Sequence, residues 1–351
     1  MNLRFNFLRD GNIKERRRTA MTTFNDKDFN QAFEDETKRI NQQLDKDILF
    51  GLVGDINTGK SSVINQLIGE PVAKVGARPG ETTEVDRYVY REKIIFADTP
   101  GLDDVHTEHS EETMHFYQEA DVILFFLNAA GTVFSDSEKQ SFKMIEKTNE
   151  NILFVLNKID AADDIPDLVS YVKEQAGHPY RVIPISSRTG ENIDKLRDAI
   201  LDLLKKKQKE MQFARLIKNK ASTANRWILA ASGSAAAVGV VPIPGSDFVP
   251  LISIQIGLLV KLATLYEKPL SKKRAKELTI ATITGHVGKA MFRQVIKLVP
   301  GAGAVAGGSI AGGMTLALGH AVKYAYENNI ELNADSLNNL YKQFQKNKQD
   351  S

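Results

Sequence analysis

Six short apolar runs punctuate the first half of the chain: "DILFGLV" at 47–53, "DRYVYRE" at 86–92, "KIIFAD" at 93–98, "DVILFFLN" at 121–128, "NILFVLN" at 151–157 and "RVIPIS" at 181–186. Several are apolar without alternation, the pattern of strands covered on both faces. Helical segments separate them, and this alternation predicts an α/β unit over 47–206 with a mostly parallel sheet flanked by helices. Upstream, "TFNDKDFNQAFEDETKRINQQL" sets Phe29, Phe33 and Ile40 among charges, which predicts an N-terminal amphipathic helix over 23–46 that needs a partner surface. Beyond "LRDAILDLLKKKQKE" the pattern changes. Residues 227–246, 248–260 and 298–320 carry no charge, and related turns, "VPIPG" at 241–245 and "VPG" at 299–301, split them into apolar arms. The expectation is an α-helical C-terminal domain over 207–351 with two apolar hairpin-like segments.

Composition narrows the picture in three places. At 351 residues the chain suits two domains. A net charge of +2 with 26% charged residues gives no whole-chain electrostatic case for nucleic acid. The absence of cysteine excludes disulfides and thiolate metal sites. Residues 1–20 hold six basic and two acidic side chains without a continuous apolar core, so 1–22 reads as a flexible basic tail rather than a secretory signal.

Between the first apolar run and "VINQLI" lies "GDINTGKSS", residues 54–62. It fits G-x-x-x-x-G-K-[ST] at Gly54, Gly59, Lys60 and Ser61, between a strand and a helix as that motif requires. Glycines let the backbone wrap a phosphate chain, the helix N-terminus supplies free N–H groups, and Lys60 reaches the terminal phosphates. Ser61 is the candidate hydroxyl ligand for Mg²⁺. The loop assigns Gly54, Asp55, Asn57, Thr58, Gly59, Lys60, Ser61 and Ser62 to nucleotide binding, without separating ATP from GTP. Two later motifs make that choice. "DTPG" places Asp98 at a strand end, able to hold the Mg²⁺ shell, and Gly101 where its N–H can meet a γ-phosphate. "NKID" places Asn157, Lys158 and Asp160 at another strand end, where such sheets gather ligands.

This set resembles the translation-factor-related P-loop GTPases, most closely the Era and TrmE branch, over roughly 160 residues. The resemblance implies a G domain in which Asp160 accepts hydrogen bonds from guanine, Asn157 meets the base edge and Lys158 lies along the ring. "ISSRTG", with Ser186 and Ser187, looks like the motif whose backbone touches the base oxygen. "VGARPGETTEVDRY" looks like the first switch, implying Thr83, rather than Thr82, as a further Mg²⁺ ligand; Glu84 follows where the family often has arginine. Lys60, Thr83 and Gly101 are then the catalytic set. Leu102 replaces the water-orienting glutamine of many relatives, and Asn57 matches an asparagine that helps hold K⁺ in K⁺-activated members, often as two G domains meet. Asn57 serving only the loop's backbone geometry is the alternative. His106, His109 and His115 read as a solvated loop, with no metal beyond Mg²⁺.

The C-terminal segments look like the YcjF-type domain of unknown function. Pro242 and Pro244 should end the first apolar helix early, and residues 248–260 are short for a span, so the arms suit a close-packed hairpin better than a pair of spans. Residues 261–297 hold nine basic and two acidic side chains, including "SKKRAK", which suits an anionic membrane surface or a solvated face.

The leading expectation is a cytoplasmic, Mg²⁺-dependent GTP hydrolase whose nucleotide state is coupled to a helical domain, with a membrane surface and a G-domain homodimer as further partners. The alternatives are a ribosome- or RNA-associated GTPase and a GTP sensor with little hydrolysis. Nucleic acid is not expected as a partner, because no basic G-x-x-G loop is present.

Overall fold

The computed structural model describes residues 26–69, 86–90, 93–98, 111–177, 179–238, 248–284, 310–337 and 339–340. They fall into two compact units, one comprising Gln42–Lys218 and the other Met1–Asn41 with Asn219–Ser351.

The first unit is built on strands β1 (Ile48–Val53), β2 (Asp86–Tyr90), β3 (Ile94–Asp98), β4 (Val122–Asn128), β5 (Ile152–Asn157) and β6 (Arg181–Pro184). Their order is β2-β3-β1-β4-β5-β6. β2 runs antiparallel to β3, and every other pair is parallel. Between the strands come helices α2 (Lys60–Ile68), α3 (Glu111–Glu119), α4 (Asp136–Ile145) and α5 (Ile165–Gln175), followed by α6 (Ile193–Lys206) and α7 (Glu210–Leu216). β5 is buried along its whole length and β4 along all but its last residue, which is why neither alternates in sequence. An aromatic cluster fills the core beside them: Phe154 lies 5.2 Å from Phe125, 5.3 Å from Phe134 and 5.0 Å from Phe142, ring centre to ring centre. Ser135 starts α4 with a reciprocal cap, accepting from the Glu138 amide while Glu138 accepts from the Ser135 amide at 2.7 Å.

At the N-terminal edge of the sheet, the buried Asp121 carboxylate accepts from the Leu49 amide at 3.0 Å and from Lys209 Nζ at 2.6 Å. Phe213 of α7 packs 5.4 Å from Phe50. These contacts carry the α/β unit on to Lys218, where the sequence pattern set its end at 206.

The second unit contains most of α1 (Asp26–Leu44) with α8 (Lys220–Val238), α9 (Phe248–Leu265), α10 (Lys272–Thr284) and α11 (Ile310–Glu327). The predicted stripe of α1, Phe29, Phe33 and Ile40, is buried. Lys272 and Lys276 of α10 pair with Glu34 and Asp26 of α1, each at 2.5 Å. α8, α9 and α11 approach closely at Gly319, where a Cβ would lie 2.7 Å from Ile228 and 3.1 Å from Leu258. Leu251, Ile256, Leu259 and Leu262 bury the apolar face of α9. Buried hydroxyls bond within their own helices, Ser232 to the Ile228 carbonyl at 2.7 Å and Thr282 to that of Leu278 at 2.8 Å. Among the described residues no helix is long and apolar enough to cross a membrane. The prolines expected to end α8 and the "VPG" turn lie outside the described residues.

Candidate nucleotide-binding site

β1 sits at the reversal of strand order, with β3 on one side and β4 on the other. In open α/β sheets ligands bind beyond the carboxyl ends of the strands at such a point. The loop that leaves β1 there is Gly54–Gly59. Gly54 has φ 143, and a Cβ on it would lie 2.6 Å from the Phe126 carbonyl oxygen, so β4 leaves no room for a side chain. Gly59 precedes α2 at φ 94, and a Cβ there would lie 2.3 Å from Asn157 Nδ2. Both requirements are steric and backbone-based, which explains why glycine stands at each.

Lys60 folds back over the loop, donating from Nζ to the Gly54 carbonyl at 2.7 Å and to that of Asp55 at 3.3 Å. Thr58 is buried and closes the turn, its hydroxyl donating to the Asp55 carbonyl at 2.8 Å. Asp55 is partly buried, and Asn57 is exposed at φ 69, the left-handed backbone that asparagine tolerates well. Ser61 and Ser62 are exposed in the first turn of α2. β3 ends at Asp98, in parallel register with Leu52 of β1, so its backbone arrives beside the start of the phosphate loop. Thr83 and Gly101 lie outside the described residues, as do Thr82, Glu84, Leu102, His106 and His109. His115 is exposed on α3, 3.6 Å from Glu119, and among the described residues no group of His, Asp and Glu could hold a metal ion.

At the end of β5, Asn157 is fully buried, and its amide joins separate loops. Nδ2 donates to the Thr58 carbonyl at 2.8 Å and to Ser187 Oγ at 3.2 Å, while Oδ1 accepts from the Ser187 amide at 3.0 Å. Gln66 of α2 donates to the Ser187 carbonyl at 3.1 Å. Lys158 follows at φ 68, turning the chain so that Asp160 comes back toward Ser186. Ser186 Oγ donates to Asp160 Oδ1 at 2.5 Å and accepts from the Thr189 amide at 3.1 Å. Arg188 pairs with Asp160 Oδ2 at 2.7 Å. The Ser186 hydroxyl, with a smaller contribution from Arg188, holds the Asp160 carboxyl below its ordinary value of 3.8 against a smaller opposing effect of burial.

The structure therefore brings Gly54, Asp55, Thr58, Gly59, Lys60, Asn157, Lys158, Asp160, Ser186 and Ser187 into one connected set of loops. Two participants were not singled out from sequence: Gln66, in the second turn of α2, and Arg188, which sits within the quoted "ISSRTG". Both were visible as donors beside motif residues, but only the fold shows what they reach.

Residues 49–158 match the family model described as "50S ribosome-binding GTPase". The chain is 26% identical to the GTPase Era of Vibrio vulnificus over 193 residues, 52% of this chain and 59% of that protein. It is 30% identical to the GTPase Der of Streptococcus uberis over 168 residues, 46% of this chain and 37% of that protein. A crystal structure of Era in complex with MgGDPNP and a segment of 16S ribosomal RNA is similar at 28% identity, covering 45% of this chain and 57% of that chain with a TM-score of 0.36. Over these residues the α/β unit is similar to the P-loop GTPase domains of Era and Der. The chain spans less than two-thirds of the length of either curated relative.

Proposed function

We propose that the protein binds GTP and hydrolyses it to GDP and phosphate, and that its helical unit responds to the nucleotide state. The observation that carries this reading is the Asn157 amide, which joins the phosphate loop to the loop of Ser186 and Ser187 beside Asp160. A site so connected registers purine and phosphates together.

In this reading the loop amides of Asp55–Ser62 and the Lys60 ammonium grip the phosphates. That ammonium lies over the loop, 2.7 Å from the Gly54 carbonyl and 3.3 Å from that of Asp55. Asp160 selects guanine by accepting from the base, and adenine would leave the carboxylate facing no donor. Arg188 must yield one carboxylate oxygen as the base enters. Asn157 acts chiefly as a positioning residue, its amide being engaged within the protein.

Ser61, exposed at the head of α2, is proposed to hold Mg²⁺ together with Asp98 and Thr83, all hard oxygen donors of the kind that ion prefers. When bound, the ion offsets phosphate charge during transfer. Gly101 is proposed to meet the γ-phosphate through its N–H. Asn57 at φ 69 suits the loop's backbone, and a K⁺ beside it, joined to a face-to-face dimer, is a further proposal.

A membrane surface is not part of this reading. The described apolar helices bury their faces within the helical unit, and Lys272, Arg274 and Lys276 already have carboxylate partners. A ribosome-directed role is the second reading, favoured by the description of the matching family model, and it reopens nucleic acid as a partner. The YcjF-type identity of the helical unit remains a proposal resting on its apolar pattern alone.

Calorimetric titration of the full chain with GTP, ATP and XTP in millimolar Mg²⁺ tests the site. Wild type should select GTP, and Asp160→Asn should shift preference to XTP, whose extra carbonyl can accept from the new amide. Equal affinity for ATP and GTP would remove the proposal. Phosphate release measured in K⁺ and in Na⁺, at low and high protein concentration, then separates a hydrolase from a sensor and tests the ion and dimer together.

A further inference from the structure

The helical unit holds a cavity of about 550 Å³ where three helix ends converge. Lys268, Pro269 and Leu270 line it from the turn after α9, and Ser271 and Arg274 from the start of α10. Ala325 and Tyr326 at the end of α11, with residues 329–332 beyond it, complete the wall. The volume lies in the range of small-molecule sites.

The polar groups of the lining share a character. Tyr326 is 7% exposed, and its buried hydroxyl has no hydrogen-bond partner, a state that native interiors rarely tolerate. Burial pushes this phenol upward from its ordinary range, so it remains a donor at every physiological pH. Lys268 donates from Nζ to the neutral Asn329 Oδ1 at 2.8 Å. Arg274 contributes a guanidinium that also meets Glu277 at 2.8 Å and Glu331 at 3.3 Å. The Glu331 carboxylate is largely exposed, at 83% of its side chain. The cavity thus offers two cations against one acid at its rim, beside the apolar surfaces of Pro269, Leu270, Ala325, Ile330 and Leu332.

We propose that this cavity binds a small amphipathic anion, a carboxylate or phosphate monoester whose charged head meets Lys268 and Arg274 and whose short apolar body lies along Leu270 and Leu332. Donors without a free internal acceptor select a ligand that only accepts, and the apolar wall selects against free inorganic ions. The site lies wholly within the helical unit and does not depend on the nucleotide reading.

The test is titration of the full chain, without nucleotide, against hexanoate, hexyl phosphate, inorganic phosphate and hexanol, followed by calorimetry. Saturable binding of hexanoate or hexyl phosphate, with hexanol and inorganic phosphate at least about tenfold weaker, is the expected result. The tighter of the two heads identifies the source. Lys268→Met should weaken binding about tenfold and Arg274→Met likewise. Glu331→Gln should tighten it, because it frees part of the Arg274 guanidinium, and misfolding cannot mimic a gain. Hexanol binding as tightly as the anions, or no saturable binding by any probe, overturns the proposal, as does a Glu331→Gln variant that binds no better than wild type.

Discussion

Replacing Asn157 with alanine removes a side chain that spans the phosphate loop and the Ser186–Ser187 loop. The change deletes the bonds to the Thr58 carbonyl, to Ser187 Oγ and from the Ser187 amide. A net intramolecular hydrogen bond contributes roughly 1 kcal/mol, so three amount to about 3 kcal/mol. Of the groups left behind, Ser187 can rehydrate in part, whereas Thr58 is 2% exposed, so its carbonyl is poorly placed to find water. A loss of about 2–4 kcal/mol is large against the 5–15 kcal/mol that typically holds a domain together. The loss is local, because the aromatic core around Phe154 does not involve Asn157.

That localisation makes the outcome readable by hydrogen exchange. Amides in 54–62 and 184–192 should exchange on the order of a hundredfold faster in Asn157→Ala, while those of β4 and the core keep wild-type protection. Affinity should fall for GDP and also for inorganic pyrophosphate, which has no base to contact. A residue serving only as a base contact would leave the exchange rates and pyrophosphate affinity unchanged. Either of those results would refute the positioning role.

Three further outcomes follow from groups whose environment is explicit. Because the folded Asp160 carboxyl titrates below 3.8, it is ionised throughout the range above that value, and its contribution is lost only as pH falls through the lower folded value; Ser186→Ala should move the titration upward, as read by carboxyl carbon-13 NMR, and an unmoved midpoint would discard the assigned cause. Asp121→Asn should cost the α/β unit about 1–3 kcal/mol by unpairing Lys209 and Lys207, without changing GTP-over-ATP preference, and a change in that preference would show that the N-terminal edge of the sheet reaches the site. Burial, assisted by Lys323 and opposed by Glu327, lowers His320 to about 4 from 6.5, so the unfolded chain takes up its proton first as pH falls. Stability is complete above 6.5 and declines toward 4, by about 2 kcal/mol between pH 7 and pH 5. The single tryptophan, Trp227, stands on α8 of this unit and reports its urea midpoint; His320→Leu should flatten the pH dependence, and an equally steep variant would assign the slope elsewhere.

The chemistry of the α/β unit was legible because each of its parts is a contiguous stretch at a strand end: the turn demands glycine, the helix start demands small polar residues, and the strands announce themselves by unbroken burial. What Asn157 does was not legible, since its partners lie 99 and 30 residues away and the local pattern records only a polar residue after an apolar run. The same limit hid which residues beyond 219 meet α1. Its stripe of Phe29, Phe33 and Ile40 declared a need for cover, but the supporting ion pair from Glu34 to Lys272 spans 238 positions. The apolar C-terminal arms show the converse. Their composition suits a close-packed hairpin better than a pair of spans, but it names no neighbour. Gly319 supplies one for the described segments, since the side chains of Ile228 and Leu258 occupy the space beside it. Composition can state that a helix is apolar, but only the neighbour packed against its smallest residue shows what covers it.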